Sequence, residues 1–379
     1  MMLYGIAVIP VLIWLYLLTG RGQFWRVAAH RAPAHPPAAA RHVVVAIPAR
    51  NEAPVIGTAV ASLARQAFNG RIHIIVIDDG STDGTAEAAL AAARAAGALP
   101  RLTLLQGTAL PAGWTGKLWA LSQGVAAAAE HSPDYLLFTD ADICHGPASV
   151  ASLVAAAEAH DRDLVSHMVK LSTATCTERL LIPAFVFFFF KLYPPAWIAD
   201  PQRGLGAAAG GCILIRPAAL ARAGGLLAIR SQIMDDCALA RAVKAAGGRL
   251  SLELAEDTRS LRSYRSAAEI GAMISRTAFA QLRHSYVLLA VTLLGMSLTY
   301  VLPAVLPFFG DPPLVCLGVA ALLLMSSCYL PMVRLYGLSP LWSLCLPVIA
   351  VFYTGAVIHS VVQYARGSGG TWKGRVQDA

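Results

Sequence analysis

Hydrophobic residues along this chain follow three different rhythms. Residues 2–19, MLYGIAVIPVLIWLYLLT, carry no charge; as a helix rising 1.5 Å per residue they span roughly 27 Å, about one hydrocarbon core. From 42 to about 270 the pattern shortens. HVVVAIP (42–48) and IHIIVID (72–78) are β-branched runs, each followed by helical spacing such as TAEAALAAARAAG (85–97), which Gly97 is placed to end. Further strands are expected at 102–106, 135–139 and 211–215. Strands alternating with helices at this spacing predict an α/β domain, a mostly parallel sheet flanked by helices. After Arg283 come three long apolar stretches, 286–309, 314–333 and 341–365, each able to cross a bilayer. A further run, LLIPAFVFFFFKLYPPAWI (180–198), is long enough too, but Pro183, Lys191, Pro194 and Pro195 interrupt it. A crossing there would split the α/β domain, so a helix lying in the bilayer interface is expected, with a buried core helix as the alternative.

These rhythms divide the 379 residues into an N-terminal membrane anchor (1–20), a basic Pro/Ala linker (21–41), an α/β domain (42–285), a C-terminal transmembrane region (286–365) and a basic tail (366–379). A chain 56% hydrophobic and 14% charged, with a mean hydropathy of +0.58, is too apolar for an ordinary soluble protein. No basic stretch precedes the first apolar run, as a cleaved signal peptide would require; Arg21, Arg26, Arg31 and Arg41 follow it and predict an anchor with its basic end in the cytoplasm. An anchor and three crossings would leave the tail outside, whereas Arg366, Lys373 and Arg375 favour the cytoplasm, so one C-terminal stretch is expected to be re-entrant. The net charge of +8 comes without a basic stripe interleaved with aromatics, which fits anionic lipid and not nucleic acid. Seven scattered cysteines, none in a CxxC pair, support neither a zinc site nor a disulfide framework. The histidines show no HxxxH or HExxH spacing, and no GxSxG elbow or phosphate-binding P-loop occurs.

The acidic residues are placed more tellingly. VIDDGSTDGT (76–85) delivers Asp78 and Asp79 from a strand into a Gly/Ser/Thr-rich turn able to hydrogen-bond a base and ribose hydroxyls; a well-capped turn is the plainer alternative. LLFTDADICH (136–145) runs from a buried strand into Asp140-Ala141-Asp142. Two like charges so close read either as a solvated turn or exposed acidic loop, or as a cation site; an oxygen-binding divalent ion keeps one or two carboxylates while taking its other ligands from phosphate and water. AIPARNE (46–52) is a third strand-to-turn junction, with Pro48, Arg50 and Glu52. All three acidic segments fall at carboxyl ends of expected strands, where α/β sheets bind ligands.

Taken in order, these segments resemble the nucleotide-sugar half of family 2 glycosyltransferases of GT-A fold, and the similarity runs over roughly 42–285. GWTGKLWALSQG (113–124) is similar to the segment whose lysine, here Lys117, reaches toward the donor. GAAAGGCILIRPAAL (206–220), with Gly210 and Gly211, resembles the glycine-containing wall on the acceptor side. IMDDCALARAVKAAGG (233–248) resembles the acidic helix start whose second acid is the catalytic base, here Asp236, with Asp235 in place of the usual glutamate. The motif order, the PAGWTGK form, the N-terminal anchor and the terminal TWKGR look most like bacterial hopanoid-biosynthesis-associated glycosyltransferases.

The resemblance implies an inverting transfer from a nucleotide-diphosphate-sugar, taken as a UDP-sugar, to a lipid acceptor of hopanoid type, at the cytoplasmic face of a bacterial inner membrane. Pro48, Arg50, Glu52, Asp78, Asp79, Lys117, Asp140, Ala141 and Asp142 would bind the donor, Asp142 and Asp140 would hold Mg2+ or Mn2+, and Asp236 would take the acceptor proton. RTAFAQLRHS (276–285) keeps the glutamine and arginine of the processive enzymes' Gln-x-x-Arg-Trp motif, as Gln281 and Arg283, but not its tryptophan. That departure weakens the reading as a processive polysaccharide synthase. Arg276 and Arg283 remain expected diphosphate contacts, or simply juxtamembrane cations. A non-catalytic protein that senses nucleotide sugar is the other alternative, and the presence of Asp236 argues against it.

Overall fold

A computed structural model of the protein describes residues 2–26, 29–30, 40–367, 371–372 and 375–376. The rest of the expected linker (27–28 and 31–39) and of the basic tail (368–370, 373–374 and 377–379) lies outside these residues. The chain divides into two units. One is an α/β unit of Ala28–Ser172, Trp197–Ser263 and Thr371–Ala379; the other is an apolar helical unit of Met1–Val27, Thr173–Ala196 and Tyr264–Gly370.

In the α/β unit the strands of the main sheet are β1 (Ala29–His30), β2 (His42–Ala49), β3 (Arg71–Asp78), β4 (Leu102–Gln106), β5 (Tyr135–Thr139), β6 (Ile143–Cys144), β7 (Leu164–Lys170), β8 (Cys212–Ile215) and β9 (Leu250–Ser260); Thr371–Trp372 and Arg375–Val376 pair separately. They form one sheet in the order β1-β9-β7-β8-β5-β2-β3-β4, with β6 added beside β9. Five pairings are parallel and three antiparallel, the latter made by β8 and β6. The mostly parallel sheet flanked by helices is therefore present, and its mixed, GT-A-type character comes from β8 inserted between β5 and β7. Every residue of β2 and β5 is buried, as expected of parallel strands covered on both faces. Val43, Val45, Ile47, Ile74, Val76, Leu137 and Leu153 share one core with the helix residues Ile56, Val60 and Leu63. Burying side chains of this size contributes about 1.5–3 kcal/mol each.

The apolar unit contains helices Met2–Thr19, Cys176–Leu192, Ala267–Gln281, Tyr286–Met296, Pro312–Leu335 and Leu346–Ala365. Among the described residues five segments are long and apolar enough to cross a membrane: Met2–Thr19, Cys176–Ala199, Tyr286–Phe309, Pro312–Leu335 and Pro340–Ala365. The 180–198 run becomes the helix Cys176–Leu192, started by a Thr175/Glu178 capping box and followed by a short helix Pro195–Ala199. Its phenylalanines pack in the apolar unit, Phe187 on Tyr329 and Phe188 on Tyr300 and Tyr353. Pro303 explains one irregularity. It has no N–H to donate to the carbonyl of Thr299, the backbone between Ser297 and Val301 widens into a π-turn, and Trp14 Nε1 donates to that carbonyl at 2.9 Å. All seven cysteines are free thiols, three of them buried.

Candidate active site

β2 lies between β3 and β5, where the chain's connections run opposite ways along the sheet, and such a switch point opens a crevice beyond the strand ends. The β2–β5 ladder stops at the Ala46–Phe138 pair, two residues before Pro48, which has no N–H to pair. The β2–β3 ladder continues to Ala49 and Asp78, so the two following turns leave the sheet side by side.

These turns are knitted together. Asn51 takes the left-handed φ of 52° that asparagine tolerates; its Oδ1 accepts from Thr82 N at 2.9 Å and its N donates to Ser81 Oγ at 3.0 Å. Glu52 N donates to Thr85 Oγ1 and Ala53 N to Asp83 Oδ2, at 2.8 and 3.0 Å. Asp78 Oδ1 accepts from Ser81 N at 2.9 Å, closing the turn on itself. Arg50 reaches the Asp79 carbonyl at 2.5 Å and its carboxylate at 3.5 Å. Asp78 and Asp79 are both buried.

Across the crevice Ala141 turns into the hydrophobic core at 3% exposure, while Asp140 and Asp142 on either side of it engage cations. Asp140 Oδ1 meets Lys117 Nζ at 2.9 Å. Lys117 sits in the first turn of the helix Gly116–Ala128, whose N-cap Thr115 accepts from Leu118 N. A cation there opposes the helix dipole, and carboxylates compensate, because the same Nζ lies 3.1 Å from Asp235 Oδ2. Burial works against the Lys117 charge, but Asp140 and Asp235 outweigh it and hold its pKa above the ordinary value. Asp142 Oδ2 meets Arg262 Nε at 3.2 Å, and the same guanidinium lies 3.8 Å from Glu52 Oε1. Pairing of β6 with β9, and the Leu261 N to Asp142 O bond at 2.7 Å, bring Arg262 there. Burial and the neighbouring Asp140 charge push the Asp142 carboxyl up despite Arg262.

Asp235 and Asp236 open the helix Asp235–Ala245, where the dipole favours acids. Asp236 Oδ2 accepts from Gly210 N at 2.9 Å and its Oδ1 from Cys237 N at 2.6 Å. A Cβ on Gly210 would lie 3.3 Å from Asp236 Oδ2 and 3.4 Å from Lys117 Nζ, so glycine permits this close approach. Burial, then the Asp235 charge, push the Asp236 carboxyl up to about 6. One pocket is lined by Pro48, Lys117, Phe138, Asp140, Gly210, Leu226, Ile229, Asp235 and Asp236.

The sequence model of a family described as Glycosyl transferase family 2 matches residues 44–221. The fold agrees with a solved mannosyltransferase from Pyrobaculum calidifontis in complex with GDP-Man and Mn2+, at 19% identity over 96% of this chain and 99% of that one, with a TM-score of 0.57. Looser likenesses, at TM-scores of 0.42 and 0.41, are to S. aureus TarS (20% identity, 63% of this chain and 40% of that one) and to a Mycobacterium tuberculosis glucosyl-3-phosphoglycerate synthase with Mg2+ and UDP (19% identity, 64% and 79%). No curated protein sequence matches the chain.

Of the residues expected to act, the GT-A-type fold gathers Pro48, Lys117, Asp140, Gly210, Asp235 and Asp236 round one pocket, and links Asp142 to Glu52 through Arg262. Gly211 braces it from behind, its carbonyl accepting from Thr139 Oγ1 at 2.8 Å. Arg276, Gln281 and Arg283 belong to the apolar unit, where Gln281 Nε2 donates to Tyr193 Oη at 3.4 Å. Arg262 went unread in the sequence; its only signal is a cation just after a strand, 250–260, whose several acids and threonine obscure the strand pattern.

The carboxylates suit a hard divalent cation, being oxygen donors only. Lys117 on Asp140 and Arg262 on Asp142 are stand-in cations that mark where counter-charge is wanted. Among the described residues no group of three or more His, Cys, Asp or Glu is arranged to hold a metal unaided, so the residues fit an ion completed by phosphate and water.

Proposed function

We propose that this chain is a membrane-bound inverting glycosyltransferase that moves a sugar from a nucleotide-diphosphate donor to a lipid hydroxyl. The observation that carries it is Asp236, oriented by two backbone N–H groups and facing, across one pocket, the Lys117–Asp140 pair of a family 2 glycosyl transferase domain. The acceptor hydroxyl gives its proton to the Asp236 carboxylate as its oxygen attacks the anomeric carbon. The bond to the diphosphate breaks on the opposite face in the same displacement, so configuration inverts and no covalent nucleophile is used. Lys117 and Arg262 offset charge developing on the departing diphosphate. Mg2+ or Mn2+, held by Asp142 and Asp140, would supply Lewis-acid neutralisation of that leaving group. The 49–52 and 78–85 turns, which include Glu52, Asp78 and Asp79, receive the nucleoside.

GDP-Man and Mn2+ in the Pyrobaculum complex support a donor and an ion of this class. Five apolar helices support an acceptor drawn from the lipid phase, a hopanoid-type one on the motif resemblance alone. Arg21 and Arg26, directly after the first apolar helix, support a cytoplasmic catalytic domain at a bacterial inner membrane. The test is a nucleotide-sugar panel with the purified chain in detergent, added bacterial lipid and Mn2+, read as nucleoside-diphosphate release. One donor should turn over, and excess EDTA should stop it. No release with any donor would overturn the proposal, and full release in EDTA would remove the metal.

A further inference from the structure

Asp140 and Asp142 are separated by one residue, yet they do not share a counter-ion. Asp140 is drawn to Lys117 on the Gly116–Ala128 helix, and Asp142 to Arg262 on the loop after β9. Each cation also spans to a second acid, Lys117 to Asp235 at 3.1 Å and Arg262 to Glu52 at 3.8 Å. Each ion pair thus takes up one oxygen of a carboxylate that a divalent cation would use, Asp140 Oδ1 and Asp142 Oδ2.

We propose that Lys117 and Arg262 are resident counter-cations that close the divalent-ion site in the donor-free protein and transfer to the donor's diphosphate when it binds, so that metal and donor load together. The inference rests on the donor site proposed above. A diphosphate offers both cations a new anion and offers the metal its missing ligands, whereas metal alone must displace them with nothing given in return. Arg262 suits the exchange: its side chain is 44% exposed, a long guanidinium on an exposed loop can swing with little disturbance to the fold, and its planar donors match phosphate oxygens. Lys117 is more enclosed, at 18%, and moves a shorter way. The arrangement makes metal affinity and nucleotide affinity reciprocal, each raising the other by one factor.

Mn2+ binding to the full chain in detergent, followed by the electron-spin signal of free Mn2+, tests this with UDP and GDP as probes. In the native protein either nucleotide should raise Mn2+ affinity at least about tenfold, within the usual range of such coupling. Arg262→Met should bind Mn2+ alone about fivefold more tightly, the competition of one partly exposed ion pair being removed. It should bind nucleotide plus Mn2+ more weakly, so that the coupling shrinks, and Arg262→Lys should restore it in part. Any positive charge this near would oppose Mn2+, so the deciding readout is the loss of coupling to nucleotide and its partial return in Arg262→Lys. Lys117→Met should act in the same direction. Unchanged or weaker Mn2+ binding in Arg262→Met, with native coupling intact, overturns this inference and leaves the donor site standing. A native protein that binds neither nucleotide, with or without Mn2+, overturns both.

Discussion

Replacing Asp236 by Asn should lower turnover about a thousandfold while leaving the domain folded and the donor bound. The side chain keeps its shape, but its amide presents one acceptor where the carboxylate presented two. Cys237 N at 2.6 Å and Gly210 N at 2.9 Å therefore cannot both be satisfied. An unsatisfied buried donor costs about 1–3 kcal/mol. Relief of the repulsion between Asp236 and Asp235 offsets part of that, so the melting temperature should fall by only a few degrees. Loss of a general base costs about 10²–10⁴ in rate, equivalent to roughly 3–5.5 kcal/mol of barrier. The two penalties differ enough to be separated. A helix-capping role predicts a stability change with near-normal rate; a base predicts the reverse. Single-turnover nucleotide release measures the rate, calorimetric donor titration should stay within about threefold of the native value, and Asp235→Asn should show the milder rate defect. More than about a tenth of native turnover in Asp236→Asn would refute the reasoning.

Because Asp236 must be ionised to accept a proton and its carboxyl is pushed up to about 6, kcat/KM should rise with pH through that region and level off above it, later than an ordinary carboxylate would allow. Gly210→Ala should cut turnover at least about tenfold with normal melting, since the added Cβ meets Asp236 Oδ2 and Lys117 Nζ at 3.3 and 3.4 Å; unchanged kinetics would show that the approach is dispensable. At the other end of the sheet His73 stacks on His131 at 3.8 Å, and burial followed by that neighbour lowers its pKa to about 4. The folded state then binds fewer protons than the unfolded one, so stability is full above about 6.5 and lost as pH falls toward 4; melting curves of His73→Gln should lose less over that window.

How much of this was legible beforehand varied with the physics of each element. The strands at 102–106 and 135–139 emerge where expected because apolar β-branched and aromatic runs ending in turn residues have few alternatives. β7 and β9 were missed: LVSHMVK carries polar residues in both phases, and LSLEL alternates as a strand does before the acids that follow break its phase; the two strands pair with each other. The Phe-rich run 180–198 read as helical, but only packing shows it grouped with the apolar helices. In the site, Asp140 and Asp142 were readable from acids placed at a strand end, whereas Asp235 and Asp236 were expected from resemblance alone. Lys117 came only from resemblance, since nothing local explains a cation opening a helix, and the carboxylates that hold it lie far away in sequence. Arg262 was unreadable because its meaning depends on β6 pairing with β9.

The most direct test of the central claim is the fate of the sugar. The purified chain should be incubated in detergent with radiolabelled donor, Mn2+ and bacterial lipid extract, and the label followed into the organic phase. The account predicts lipid-extractable label that EDTA abolishes and Asp236→Asn nearly abolishes, with the sugar linked in the configuration opposite to the donor's. Label found only in water-soluble polymer, or a lipid product that retains the donor's configuration, would contradict it.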